Sequence, residues 1–207
     1  MTNLNVNGAG QVGAIDVRGM DLESALMAIQ SNRANLLETQ LKDQISSVQA
    51  KNDQISRLNQ ALGALNKAVA ACFPGDAKAD TRIDKSSEFS KNSYAYEREV
   101  NSALIEAGVN PDFGTNTSDG GGVTNTVDAN GNAVRLPGGL RGDVTKGKLD
   151  GFIQQLKSQI DSLSNSQQMD MLRLQSLSNK RNEAFEIMTN FIKKMQDNRS
   201  SIVGNMR

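Results

Sequence analysis

The stretch that decides the fold is FIQQLKSQIDSLSNSQQMDMLRLQSLSNKRNEAFEIMTNFIKKMQDNRSSIV, residues 152–203. It holds no Gly and no Pro. Apolar residues recur in it at helical spacing: Leu156, Ile160, Leu163, Leu174, Leu177, Phe185, Met188, Phe191, Ile192, Met195 and Ile202. Some fifty residues at 1.5 Å rise predict a helix of roughly 75 Å. That is too long for a buried core helix in a chain of 207 residues, so the helix needs a partner along its length.

A second long helix answers it. Asp21 is a plausible N-cap, because its carboxylate is placed to accept from the free N–H groups of a first turn. Leu41, Val48, Ile55, Leu62 and Val69 then fall seven residues apart. The companion row changes side, from Ile45 to Leu58, Leu65 and Cys72, and Asn52 and Asn59 interrupt the seam. That pattern fits a hairpin or bundle that changes neighbours rather than a strict zipper. Phe73-Pro74-Gly75 ends the helix, since Pro cannot continue the ladder.

Four segments follow: residues 1–19 without usable period and expected to be disordered, a first long helix over 20–73, a surface-exposed insert over 74–147, and the terminal helix over 148–207. The fold class expected is mainly α, a long antiparallel coiled-coil-like hairpin with a small irregular or weakly β insert at its tip. The hairpin seam is assigned to Leu41, Val48, Ile55, Leu58, Leu62, Leu65, Val69, Leu156, Ile160, Leu163, Leu174 and Leu177. Inside the insert a short helix is expected from about Ala95 to Ala107. A weak β-hairpin is expected over Val123 to Leu136, turning at Asn130-Gly131 with both residues at positive φ. Gly121, Asn130, Gly131, Arg141 and Asp143 are expected to be exposed.

Composition narrows the function classes. Lys plus Arg number 23 and so do Asp plus Glu, giving a formal net charge of zero. No basic patch is interleaved with aromatics, so nucleic acid is not an expected partner. Histidine is absent, which removes the usual general base and most metal sites. The lone Cys72 rules out an intrachain disulfide and reads as a small buried apolar residue. Asp128, Asn130 and Asn132 share the spacing of half a calcium loop. Ala133 stands where the loop needs Gly, and Gly139 where it needs its closing acid, so a polar turn is the simpler reading. Arg141-Gly142-Asp143 matches a tripeptide used by some adhesion ligands, a weak signal in a Gly-rich loop. No cofactor and no enzymatic activity are expected. No apolar run is long enough to span a membrane, and the first residues lack the basic start and apolar stretch of a cleaved leader.

The terminal helix carries more apolar surface than one partner would cover. Phe185, Ile187, Met188, Phe191, Ile192, Met195 and Ile202 are therefore expected at contacts between copies of the chain. Lys193, Lys194, Gln196, Asp197, Arg199 and Ser200 follow without a break in the helical pattern, and suit either a frayed, solvated helix end or the wall of a polar interior.

The stretch from Ser164 through Arg181, SNSQQMDMLRLQSLSNKR, and its continuation Met188 to Asp197, MTNFIKKMQD, resemble the tip-filament proteins of bacterial type III secretion, the EspA-like group. Gly19-Met20-Asp21-Leu22 and Leu58-Asn59-Gln60-Ala61-Leu62 match in outline, and the middle segment does not. The resemblance implies a virulence-associated protein exported by an uncleaved N-terminal signal. It would polymerise helically into a hollow extracellular filament at the bacterial surface, extending the needle. It implies as partners further copies of itself, the type III needle subunit, a translocator pore protein, a cytoplasmic export chaperone and effectors in transit. Two other classes share the helical arms: a needle-tip cap that does not polymerise, and a cytoplasmic coiled-coil adaptor or chaperone.

Overall fold

The computed structural model describes residues 22–115 and 120–205. The expectations for residues 1–19 and for the Asp21 cap lie outside them, as does the side chain of Ile202. The described chain is mainly helical: α1 Leu22–Cys72, a 3-10 turn at Ile83–Lys85, α2 Ser87–Glu106, β1 Gly122–Val127, β2 Ala133–Leu136 and α3 Lys146–Asn205. None of these helices is long and apolar enough to cross a membrane. The chain divides into two compact units. One is Gln49–Gln168, and the other comprises the described residues of Met1–Val48 and Met169–Arg207.

The Gln49–Gln168 unit holds the main core. Leu58, Ala61, Leu65, Ala68 and Cys72 repeat at three- and four-residue spacing along α1 and are buried. Val100 and Leu104 of α2 meet them, with Leu149, Phe152, Ile153 and Leu156 of α3. The expected row of Ile55, Leu62 and Val69 flanks this track and is only half-buried. Small residues explain the shift, because Ala61, Ala64 and Ala68 let neighbouring chain approach α1 closely. Ile160 and Leu163 are half-buried at the margin of the same core. Two polar pairs also join α1 to α3 here: Lys51 Nζ donates to the Ser166 hydroxyl at 2.7 Å, and Gln167 donates to the Asn52 side-chain carbonyl.

The segment expected to be a surface-exposed insert instead supplies much of the core. Ile83, Phe89, Val100, Leu104, Phe113, Leu140 and Val144 are all nearly inaccessible. The Phe113 ring meets Phe152 edge-on, with centroids 4.8 Å apart. The two ends of the segment are clipped by backbone hydrogen bonds. Ile83 N donates to Val144 O, Asp84 N to Gly142 O, Lys146 N to Thr81 O and Gly147 N to Ala79 O. A closed segment with its own apolar residues folds inward rather than decorating a tip.

Helix α2 starts at Ser87, well before the expected Ala95. Ser86 caps it by accepting from Phe89 N at 3.3 Å, and Phe89 anchors the first turn in the core. Non-helical dihedrals at Asn92 kink the helix without ending it. Its C-terminus is a Schellman motif: Val109 N donates to Leu104 O, Gly108 N to Ile105 O, and Gly108 has φ +65°. The β-hairpin turn also differs from expectation. Only Gly131 has positive φ, so Asp128-Ala129-Asn130-Gly131 forms the turn, with Gly131 N bonded to Asp128 O at 3.0 Å. The Asp128 carboxylate accepts from the backbone N–H groups of Asn130 and Asn132, each at 2.9 Å. The side chain does the work that a second positive φ would otherwise do.

Candidate interaction surface

One buried polar residue organises the centre of the Gln49–Gln168 unit. Asn101 on α2 is fully inaccessible. Its Nδ2 donates to the carbonyls of Val123 and Leu140 at 3.0 and 3.2 Å, and its Oδ1 accepts from Leu140 N at 2.6 Å. One amide thereby ties β1 to the loop after β2. Gly122 and Gly139 are required beside it, because a Cβ at either would press on the Asn101 side chain. Nothing in the sequence marks Asn101 apart from the chain's many other asparagines, and only the burial of its neighbours gives it this role.

The exposure expected of five residues in this segment divides. Asn130 and Gly131 at the hairpin turn are exposed. Gly121 is buried, which corrects the expectation: it has φ +105°, and a Cβ there would collide with the backbone of Leu136 and Pro137. Arg141 and Asp143 are half-buried rather than exposed. Their tripeptide forms a turn, with Val144 N bonded to Arg141 O, held against the 3-10 turn through the Asp84 to Gly142 bond. Buried Ile83 and Val144 on either side draw it inward.

Groups capable of chemistry are few. Cys72 is buried, and that burial, with Glu88 nearby, pushes its thiol up to about 11, so it stays protonated at neutral pH. The Asp128 carboxyl is held below its usual value chiefly by the Asn132 backbone N–H. Among the described residues no group of His, Cys, Asp and Glu is placed to hold a metal ion.

The other unit is distinguished by what it leaves uncovered. Among its described residues, Ala34, Leu37, Val48 and Ala184 are the buried apolar ones. Leu26, Ile29, Leu36 and Ile45 on α1 are exposed, as are Met169, Met171, Leu172, Phe185, Ile187 and Ile192 on α3. Met169 and Leu172 are 67% and 62% accessible, values unusual for such side chains at the middle of a long helix. Leu41, Leu174, Leu177, Met188, Phe191 and Met195 are half-buried. The two helix segments jointly line an open groove of about 880 Å³ between Gln40, Asp43, Gln44 and Met169, Arg173, Leu177, Lys180. A second groove of about 530 Å³ lies between Leu41, Ile45 and Met171, Leu174, Ser178. Lys193, Lys194, Gln196, Asp197, Arg199 and Ser200 are exposed at the end of α3. Isolated exposed apolar residues are ordinary, but a run of them flanking grooves marks an interaction surface.

No protein-family model matches the chain, and neither a curated protein nor a solved structure does.

Proposed function

We propose that this chain is a non-enzymatic structural subunit that self-assembles through the helical arms formed by the first part of α1 and the last part of α3. The observation that carries the reading is the uncovered apolar surface from Met169 to Ile192, with Leu26, Ile29, Leu36 and Ile45 on α1. An antiparallel hairpin of α1 and α3 underlies it. Within one unit Leu41 and Ile45 share a groove with Leu174 and Ser178. Within the other, Lys51 and Asn52 bond Ser166 and Gln167.

The resemblance of the terminal helix to type III tip-filament proteins gives this polymer a place. The reading is a secreted, hollow extracellular filament that extends the secretion needle and conducts translocator and effector proteins. The needle subunit, a translocator pore protein and an export chaperone are its partners, and nucleic acid is not. In that filament the polar end of α3, from Lys193 to Ser200, faces the lumen.

Negative-stain microscopy and sedimentation of the purified chain test the reading. Filaments are expected from the wild type. Phe191→Asp should abolish them while the Gln49–Gln168 unit stays folded, as read by the tyrosines of α2, because a charge placed in an apolar contact costs several kcal/mol. In a Cys72→Ala background, Ser200→Cys should react in the filament with small maleimides and be shielded from bulky ones. A wild type that stays monomeric at high concentration refutes self-assembly. Discrete rings favour a tip cap, and a discrete soluble oligomer favours an adaptor.

A further inference from the structure

We infer that the arms gain stable helical order only when a second copy of the chain packs on them, whereas the Gln49–Gln168 unit folds by itself. The inference rests on the self-assembly reading and adds a coupling between folding and assembly. Three observations carry it.

First, the apolar burial is lopsided. The Gln49–Gln168 unit closes around large side chains, among them Phe113, Leu104, Leu140, Leu149 and Leu156, each at 0–1% exposure. Among the described residues of the arms, two of the four buried apolar ones are alanines, Ala34 and Ala184, leaving Leu37 and Val48 as the larger buried side chains. Helical order in proteins comes mostly from packing one apolar face, and isolated helices are marginal in water.

Second, the α1 arm carries a cluster of residues that weaken intrinsic helicity. Ser31, Asn32, Asn35, Thr39, Ser46 and Ser47 crowd the α1 arm. Thr39 and Ser46 turn their hydroxyls back to the carbonyls of Asn35 and Lys42, and Thr189 does the same to Phe185. Such residues offer the backbone alternatives to the helix. Packing must supply what propensity does not.

Third, the larger arm groove has the polarity of the arms themselves. Asp43 and Asp170 line it with Arg173 and Lys180, beside Gln40, Gln44 and Ser176 and the apolar Met169, Leu172 and Leu177. A strongly basic or strongly acidic partner would meet its own sign there. A helix with charges of both signs interspersed, apolar residues and many amides fits it. The arms of another copy have that composition, and the chain's zero formal charge removes long-range repulsion between copies.

Hydrogen exchange read by mass spectrometry on the full chain, with sedimentation on the same samples, tests the coupling. In dilute monomer, amides of 22–48 and 169–205 should exchange roughly 100-fold or more faster than core amides of α2 and of α1 from Leu58 to Cys72. At concentrations where the chain assembles, the arm amides should slow at least about tenfold, with the core amides unchanged. Phe191→Asp should hold the arms in the fast regime at every concentration. Arms as protected as the core in a monomeric sample would overturn the coupling, and would leave self-assembly standing if filaments still form at higher concentration. Filaments whose arms stay fast would also overturn it. Fast arms in a chain that never assembles would overturn the self-assembly reading and this inference together.

Discussion

Asn101→Ala should cost the Gln49–Gln168 unit about 3–5 kcal/mol. The substitution removes three hydrogen bonds at once: two donated by Nδ2, to Val123 O and Leu140 O, and one accepted by Oδ1 from Leu140 N. It strands two carbonyls and one N–H, all in a site with no solvent access around residue 101. Each buried, unpaired group costs about 1–3 kcal/mol. The cavity left by the amide is large enough for one water to recover part of that, which sets the total toward the lower end of the summed range. Single-domain stabilities are about 5–15 kcal/mol, so the loss is a large share of the whole. The chain offers a convenient probe. It has no Trp, and both its tyrosines, Tyr94 and Tyr96, sit on α2. Tyrosine fluorescence during urea unfolding therefore reports this unit and not the arms. With a slope of about 2 kcal/mol per molar urea, the midpoint should fall by roughly 2 M. Asn59→Ala serves as the control, since Asn59 is exposed and bonds only back to Ile55 O. It should move the midpoint by less than about 0.3 M. If Asn101→Ala shifts the midpoint no more than the control does, the buried amide is not the clasp that its geometry implies.

Three further outcomes follow from the same structure. Gly63 in α1 and Gly151 in α3 are exposed helical positions where an added Cβ meets nothing. Gly63→Ala and Gly151→Ala should therefore each stabilise by about 0.5–1 kcal/mol in urea unfolding, and a loss at either would indicate a contact absent from the single chain. The thiol of Cys72 has a folded-state pKa raised to about 11, so its stabilising effect is complete below the unfolded value near 9 and is lost as pH rises through 11. Between pH 8 and 11 the wild type should lose about 2 kcal/mol more than Cys72→Ala; parallel pH profiles of the two would contradict this. A short epitope tag inserted between Asn130 and Gly131 should leave tyrosine-monitored stability near wild type, whereas the same tag after Gly121 should collapse it, because Gly121 lies against the Leu136–Pro137 backbone. Equal tolerance at the two positions would mean that the β-hairpin base is not packed as described.

The long helices were legible because the signal is redundant. Over residues 152–203 many apolar side chains repeat one period with no Gly or Pro to interrupt it, and no tertiary partner is needed to read that. The stop at Phe73-Pro74-Gly75 and the pairing of β1 with β2 were legible for similar reasons, since proline sterics and turn chemistry act within a few residues. The middle segment was not legible as a core. Phe89, Phe113, Leu140 and Val144 are scattered among Gly, Asn and Asp, and a lone apolar residue in a polar loop looks the same whether it is exposed or buried. Only the clip between 79–84 and 142–147 brings those residues together. Gly121 illustrates the same limit: a glycine that gives a loop freedom and a glycine that lets two backbones touch are identical in sequence. Asn101 was invisible for a related reason, because its worth comes from Val123 and Leu140, which lie 22 and 39 residues away. Sequence periodicity determined that this chain is built on two long amphipathic helices. Tertiary structure alone decided which of their apolar residues another part of the same chain covers and which are left for something else, because burial depends on neighbours that are distant in sequence.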